Sequence, residues 1–112
     1  MISKRIKNVV KYYSLIGVVK MKIKITDIGW GINRKDGVRT EKVLERISFE
    51  AKQDLVVEIG PLKKKFKIVY LEKDRVDIEL REDKIMTFYR GDKFNFYPRS
   101  RDGGHYYIIE IK

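Results

Sequence analysis

The sequence predicts an all-β domain, either an antiparallel β-sandwich or a small barrel of seven to eight short strands. Three observations carry this. Residues 55–59, 65–71, 75–81, 85–89 and 105–111 are runs in which apolar and polar side chains alternate, so each run hides one face. Turn formers divide them: Gly60-Pro61, Glu72-Lys73-Asp74, Glu82-Asp83, Gly91-Asp92 and Asp102-Gly103-Gly104, at the spacing of antiparallel hairpins. A chain of 112 residues with 43% apolar content is large enough for one core, and a single open sheet could not cover the apolar faces of so many strands.

The first twenty residues form a basic extension to a single domain over 21–112. Ile2, Ile6, Val9, Val10 and Tyr13 fall on one helical stripe, with Lys4, Arg5, Lys7, Asn8 and Lys11 on the other side, the pattern of an amphipathic helix. Such a helix could lie on an anionic membrane or nucleic acid, or cap an open edge of the sheet. A third reading is a misassigned start, because Met21 opens M-K-I-K-I-T-D-I as an ordinary start would. The codons of Ile16 to Val19 can also accommodate a ribosome-binding sequence. A secretory signal fits poorly, since the apolar region is short and no small-residue cleavage site follows.

Over 21–28, Ile23, Ile25 and Asp27 face one side and Lys22, Lys24, Thr26 and Ile28 the other. Residues 29–37 read as a turn-rich connection, with Asp36-Gly37 in its tight turn. The stretch 40–51 supports two readings: a short helix capped by Thr40, or a strand in which Val43, Glu45, Ile47, Phe49 and Ala51 alternate. The strand, over 45–51, is the favoured one, and Lys52-Gln53-Asp54 then turns into 55–59 as a hairpin. In the next strand Phe66, Ile68 and Tyr70 share a face. Val76, Ile78 and Leu80 point inward, with Asp77 and Glu79 toward solvent. Residues 85–89 and 94–97 are short strands, with Phe94 and Phe96 inside. The last strand sets Tyr107, Ile109 and Ile111 against Tyr106, Ile108 and Glu110.

Charge gives a weaker clue to function than its size suggests. The net +10 divides evenly: residues 1–20 carry Lys4, Arg5, Lys7, Lys11 and Lys20 with no acid, and the rest of the chain holds the other 21 of 26 basic residues with all 16 acidic ones. The body is thus only moderately basic. There is no cysteine, which removes disulfides, thiolate chemistry and Cys-ligated zinc and suits a cytoplasmic location. No apolar run approaches the roughly 20 residues of a membrane span.

Two surfaces can bind a partner. The densest basic run, Lys63, Lys64, Lys65 and Lys67, could contact phosphates or simply guard a strand edge against pairing. Farther on, Phe88, Tyr89, Arg90, Lys93, Phe94, Phe96, Tyr97, Arg99 and Arg101 mix rings and cations, which suits base stacking or an aromatic protein interface. Tyr97, Arg99, Arg101 and Tyr106 are expected on the surface. The lone histidine, His105, lacks the partners of a zinc site and has no marked nucleophile, Ser100 being merely near in sequence. No carboxylate pair is singled out. Asp102-Gly103-Gly104 with Asp92 offers too few oxygens for calcium, and Arg90-Gly91-Asp92 reads as a hairpin turn rather than an adhesion motif. Phosphate loops, dinucleotide fingerprints and nucleophile elbows are missing, and no cofactor signature occurs.

Gly91-Asp92 followed by Phe96, Pro98 and His105 resembles the second half of a cupin barrel, where a Gly-Asp turn precedes a proline and a metal-binding histidine. The first half of that metal site has no histidine here, so the resemblance implies no metal-dependent activity. The expectation is a small non-catalytic interaction module, accessory or immunity-type, whose protein partner meets Tyr97, Arg99, Arg101 and Tyr106. The alternative is a nucleic-acid-binding module using Lys63, Lys64, Lys65, Lys67, Arg99 and Arg101 with tyrosine stacking.

Overall fold

The computed structural model describes residues 20–98 and 104–112. They form eight strands: β1 (Lys22–Ile32), β2 (Arg39–Glu50), β3 (Val56–Ile59), β4 (Lys64–Leu71), β5 (Arg75–Arg81), β6 (Lys84–Tyr89), β7 (Lys93–Phe96) and β8 (His105–Ile111). The predicted N-terminal helix and Arg99 and Arg101 lie outside these residues, apart from Lys20 at the extension's end. No helix among the described residues is long and apolar enough to cross a membrane.

Two antiparallel four-stranded sheets result, β2-β1-β8-β7 (sheet I) and β3-β4-β5-β6 (sheet II). Their apolar faces share one core. Ile23 and Ile25 of β1, Tyr107, Ile109 and Ile111 of β8 and Phe96 of β7 meet Phe66 and Ile68 of β4, Val76, Ile78 and Leu80 of β5 and Phe88 of β6. The edge of Phe66 meets the rings of Tyr107 at 5.6 Å and Phe96 at 6.2 Å. Burying each of these large side chains is worth about 1.5–3 kcal/mol before entropy is set against it. Within each sheet consecutive strands are neighbours, the β2–β3 and β6–β7 steps change sheets, and β8 returns beside β1. The order is therefore a meander without the Greek-key crossovers of a cupin jelly roll.

Four expectations of detail need correction. The first part of the connection assigned to 29–37, up to Ile32, is strand. Trp30 pairs with Glu41 and Ile32 with Arg39, and the turn is confined to Asn33–Val38, where Gly37 takes φ +72°. Strand β2 accordingly begins at Arg39, and Thr40 caps no helix. The turn at Lys52–Asp54 makes no hairpin, because β2 and β3 belong to different sheets; Arg90–Asp92 likewise carries the chain from sheet II back to sheet I. Finally, a bulge between Ile68 and Tyr70 reverses the alternation, since one extra residue turns the following side chains over. Tyr70 is therefore exposed, and Leu71 packs against the core.

Candidate interaction surface

A cluster of aromatic and charged side chains occupies the outward side of sheet I, where the β1–β2 hairpin projects. A second register shift, between Asp27 and Ile28, sets Ile28 opposite Val43 and Trp30 opposite Glu41. Along β1, Ile28, Trp30 and Ile32 then share the outward side with Arg39, Glu41 and Val43 of β2 and with Tyr106, the partner of Ile28 on β8. Just past β7, the ring of Tyr97 stacks on Tyr106 at 4.8 Å and 18°. The Arg39 guanidinium lies 4.7 Å from the Trp30 ring and 5.9 Å from that of Tyr106.

Hydrogen bonds fix this stack. The Tyr106 hydroxyl donates to Glu41 Oε1 at 3.0 Å, and Arg39 Nη2 pairs with Glu41 Oε2 at 2.8 Å. Burial and the bond to Glu41 raise the pKa of Tyr106. For Arg39, burial works to lower the pKa, but the Tyr97 hydroxyl and the Glu41 carboxylate more than offset it, so the net shift is upward. Trp30 Nε1 is buried without a hydrogen-bond partner among the described residues.

The expected surface residues fare differently. Tyr97 is 53% exposed, but Tyr106 is 7% exposed and correction is needed there: Tyr97, Arg39 and Glu41 sit against it, so it braces the cluster from beneath. The lysine run divides because β4 alternates. Lys65 and Lys67 stand on the outward side of sheet II, whereas Lys64, paired with Ile59, belongs to the inward series. Its ammonium lies 5.3 Å from the Phe66 ring and 5.5 Å from that of Phe96. Desolvation and the neighbouring Arg81 lower its pKa, and Glu79 opposes them. Lys63 sits in the preceding turn with φ +54°. All four line a shallow depression with Val56, Leu62, Glu79, Arg81 and Glu82. Lys65 and Lys67 thus face away from Tyr97, across the sandwich.

Sequence reasoning missed Trp30, which it placed in a loop, Glu41, which it placed in an ambiguous stretch, and Arg39, which lies between the two. It also missed the partner of His105. Asp27, fully buried on the inward side, takes a hydrogen bond from His105 Nδ1 at 2.8 Å. The donor is the imidazole because an ionised carboxylate only accepts. Among the described residues no nucleophile is hydrogen-bonded to His105, and no three His, Cys, Asp or Glu side chains gather as a metal would require.

Comparison with known proteins returned no matching family, no matching curated protein and no matching solved structure.

Proposed function

We propose that the protein is a non-catalytic β-sandwich interaction module, of the accessory or immunity kind, that binds a protein partner through the outward surface of sheet I around Tyr97. The observation that carries this is the continuous stack of Tyr97, Tyr106, Arg39 and Trp30. Tyrosine, tryptophan and arginine dominate binding hot spots. A tyrosine that is half exposed yet already braced by a ring at 4.8 Å loses little rotamer freedom on binding. A cytoplasmic location belongs to the same proposal.

A second reading, nucleic-acid binding through Lys63, Lys64, Lys65 and Lys67 with Arg99 and Arg101, draws on the lysine-lined depression. It is the weaker one, because stacking on bases needs rings beside the cations, and Tyr97 and Tyr106 lie on the other side of the sandwich.

The test is a photo-crosslinking amino acid placed at position 97 and, as a control, at position 85 on the outward side of sheet II, in cells that express the protein. A protein adduct should form from position 97 alone and vanish with Arg39→Ala. The purified pair should weaken far less with salt than a nucleic-acid complex does. Nucleic acid captured at a probe replacing Lys65, with affinity that collapses steeply in salt, would instead establish the second reading, and silence at position 97 would end the first.

A further inference from the structure

We propose that the projecting β1–β2 arm holds a groove for an extended, acidic segment of the partner protein, which lies across the bare backbone of Gly29 and Gly31. This rests on the protein-binding reading and gives the partner its chemistry.

The starting point is a glycine the fold does not need. Gly31 sits inside β1 opposite Thr40. Its φ lies outside the left-handed region, and a Cβ built on it would meet nothing within 4 Å. Glycine in a strand weakens it and commonly marks a close approach by a ligand or another backbone. Here no such group of the described residues approaches. Gly29, on the same side, faces only the flexible end of Leu44, 3.0 Å from its virtual Cβ. The two glycines, Gly104 and Leu44 line an open groove of about 480 Å³ with Trp30 and Lys42 at its sides.

Two further features select the occupant. Among the described residues strand β2 is the edge of sheet I and pairs with β1 alone, so the groove is open on that side. The arm is net basic. Arg34, Lys35 and Lys42 are exposed and have no salt-bridge partner among the described residues. Glu41 is paired with Arg39, which leaves Asp36 as the one acidic side chain of the arm without an ion pair among the described residues, against three such cations. An acidic segment complements this arm. The chain's own first twenty residues, with five basic side chains and no acid, have the wrong sign. So does a second copy of a chain with net charge +10.

The experiment selects a random peptide library displayed on phage against the full chain, with counter-selection on Gly31→Leu, whose added side chain enters open space and should leave thermal melting unchanged. Recovered peptides should be rich in Asp and Glu around an aromatic or branched residue. A synthetic copy should bind about tenfold more weakly to Gly31→Leu and to Lys42→Glu but normally to Lys65→Glu. It should also shift the amide resonances of Gly29, Gly31 and Lys42. Peptides without acidic residues, peptides indifferent to Gly31→Leu, or no enrichment at all overturn the proposal. If the groove variants bind the partner normally while position 97 still crosslinks to it, only the groove fails. If acidic peptides bind the groove while position 97 captures no protein, only the surface reading fails.

Discussion

Among the described residues the buried carboxylate of Asp27 has a single side-chain donor, His105 Nδ1, 2.8 Å from Oδ1, and its other oxygen has no hydrogen-bond partner. A fully buried carboxylate with so little support is costly to leave alone. Removing the imidazole should therefore hurt more than removing the charge. His105→Ala is expected to destabilise by about 3 kcal/mol, as losing one partner of a buried pair does. Asp27→Asn, which keeps an acceptor and a similar shape, should cost about 1 kcal/mol. Urea unfolding of the two variants checks the order, and equal losses would mean the pair is not the support for Asp27.

Above the same carboxylate sits Gly60. A Cβ there would lie 1.9 Å from Asp27 Oδ2, and φ is +79°. Gly37 has a similar φ of +72° with nothing near. The two glycines separate backbone preference from collision. Gly37→Ala should cost about 1–2 kcal/mol, the left-handed penalty alone. Gly60→Ala should cost clearly more or prevent folding at ambient temperature. Adding Asp27→Ala should restore part of the loss, a coupling that a double-mutant cycle reads directly. Additive losses would place the strain elsewhere.

The inward series Ile23-Ile25-Asp27 and Tyr107-Ile109-Ile111 was legible in the sequence because period-two alternation is a property of the strand itself. The bulges were not. Nothing local marks Val69 as an extra residue or says that Leu44 breaks the count between Val43 and Glu45, yet these shifts turn Tyr70 outward and bring Trp30 opposite Glu41. The glycines around Trp30 also pointed the wrong way, because Gly-rich sequence signals a turn and here the strand runs through them. Short turns at 52–54 and 90–92 could not declare whether they closed a hairpin or changed sheets, since that depends on which distant edge receives the next strand. The Asp27–His105 bond joins residues 78 positions apart, and no spacing rule reaches that far. Tyr97 was found from its neighbours in sequence, whereas its support, Tyr106 and Arg39, comes from elements that only the register brings together.

Tyr107 gives the fold an alkaline limit. Burial pushes its hydroxyl up to about 12, and the charge of Asp27 adds to the shift. In the unfolded chain a tyrosine loses its proton near about 10. Between these values the unfolded state holds fewer protons, so stability falls as pH rises. The contribution is whole below pH 10 and is lost progressively on the way to 12. Tyr107→Phe should remove this dependence. The stability difference between the two proteins should stay constant below about pH 10 and then move in favour of the phenylalanine variant. Parallel curves through that window would show that the hydroxyl is not shielded.

Arg90 fastens both ends of the described chain. Its Nη1 donates to the carbonyls of Lys20 and Lys112, each at 3.0 Å, and its Nη2 to that of Lys73 at 3.2 Å; Nε reaches Asp74 Oδ1 at 3.4 Å. The next two residues close the same corner, because Gly91 N donates to Ile111 O and Asp92 Oδ2 accepts from Tyr89 N. The tripeptide is thus a structural clasp. The four contacts are spread around one planar fork, which a lysine ammonium cannot reproduce. Arg90→Ala should cost about 1–2 kcal/mol, a discounted value because the guanidinium is partly solvated, and Arg90→Lys should recover little of it. Hydrogen exchange locates the damage: the Lys112 amide, bonded to Lys22 O, should lose protection first, while Ile78 in the centre of sheet II keeps its own. Uniform loss at both amides would mean that Arg90 supports the whole sandwich and not its chain ends.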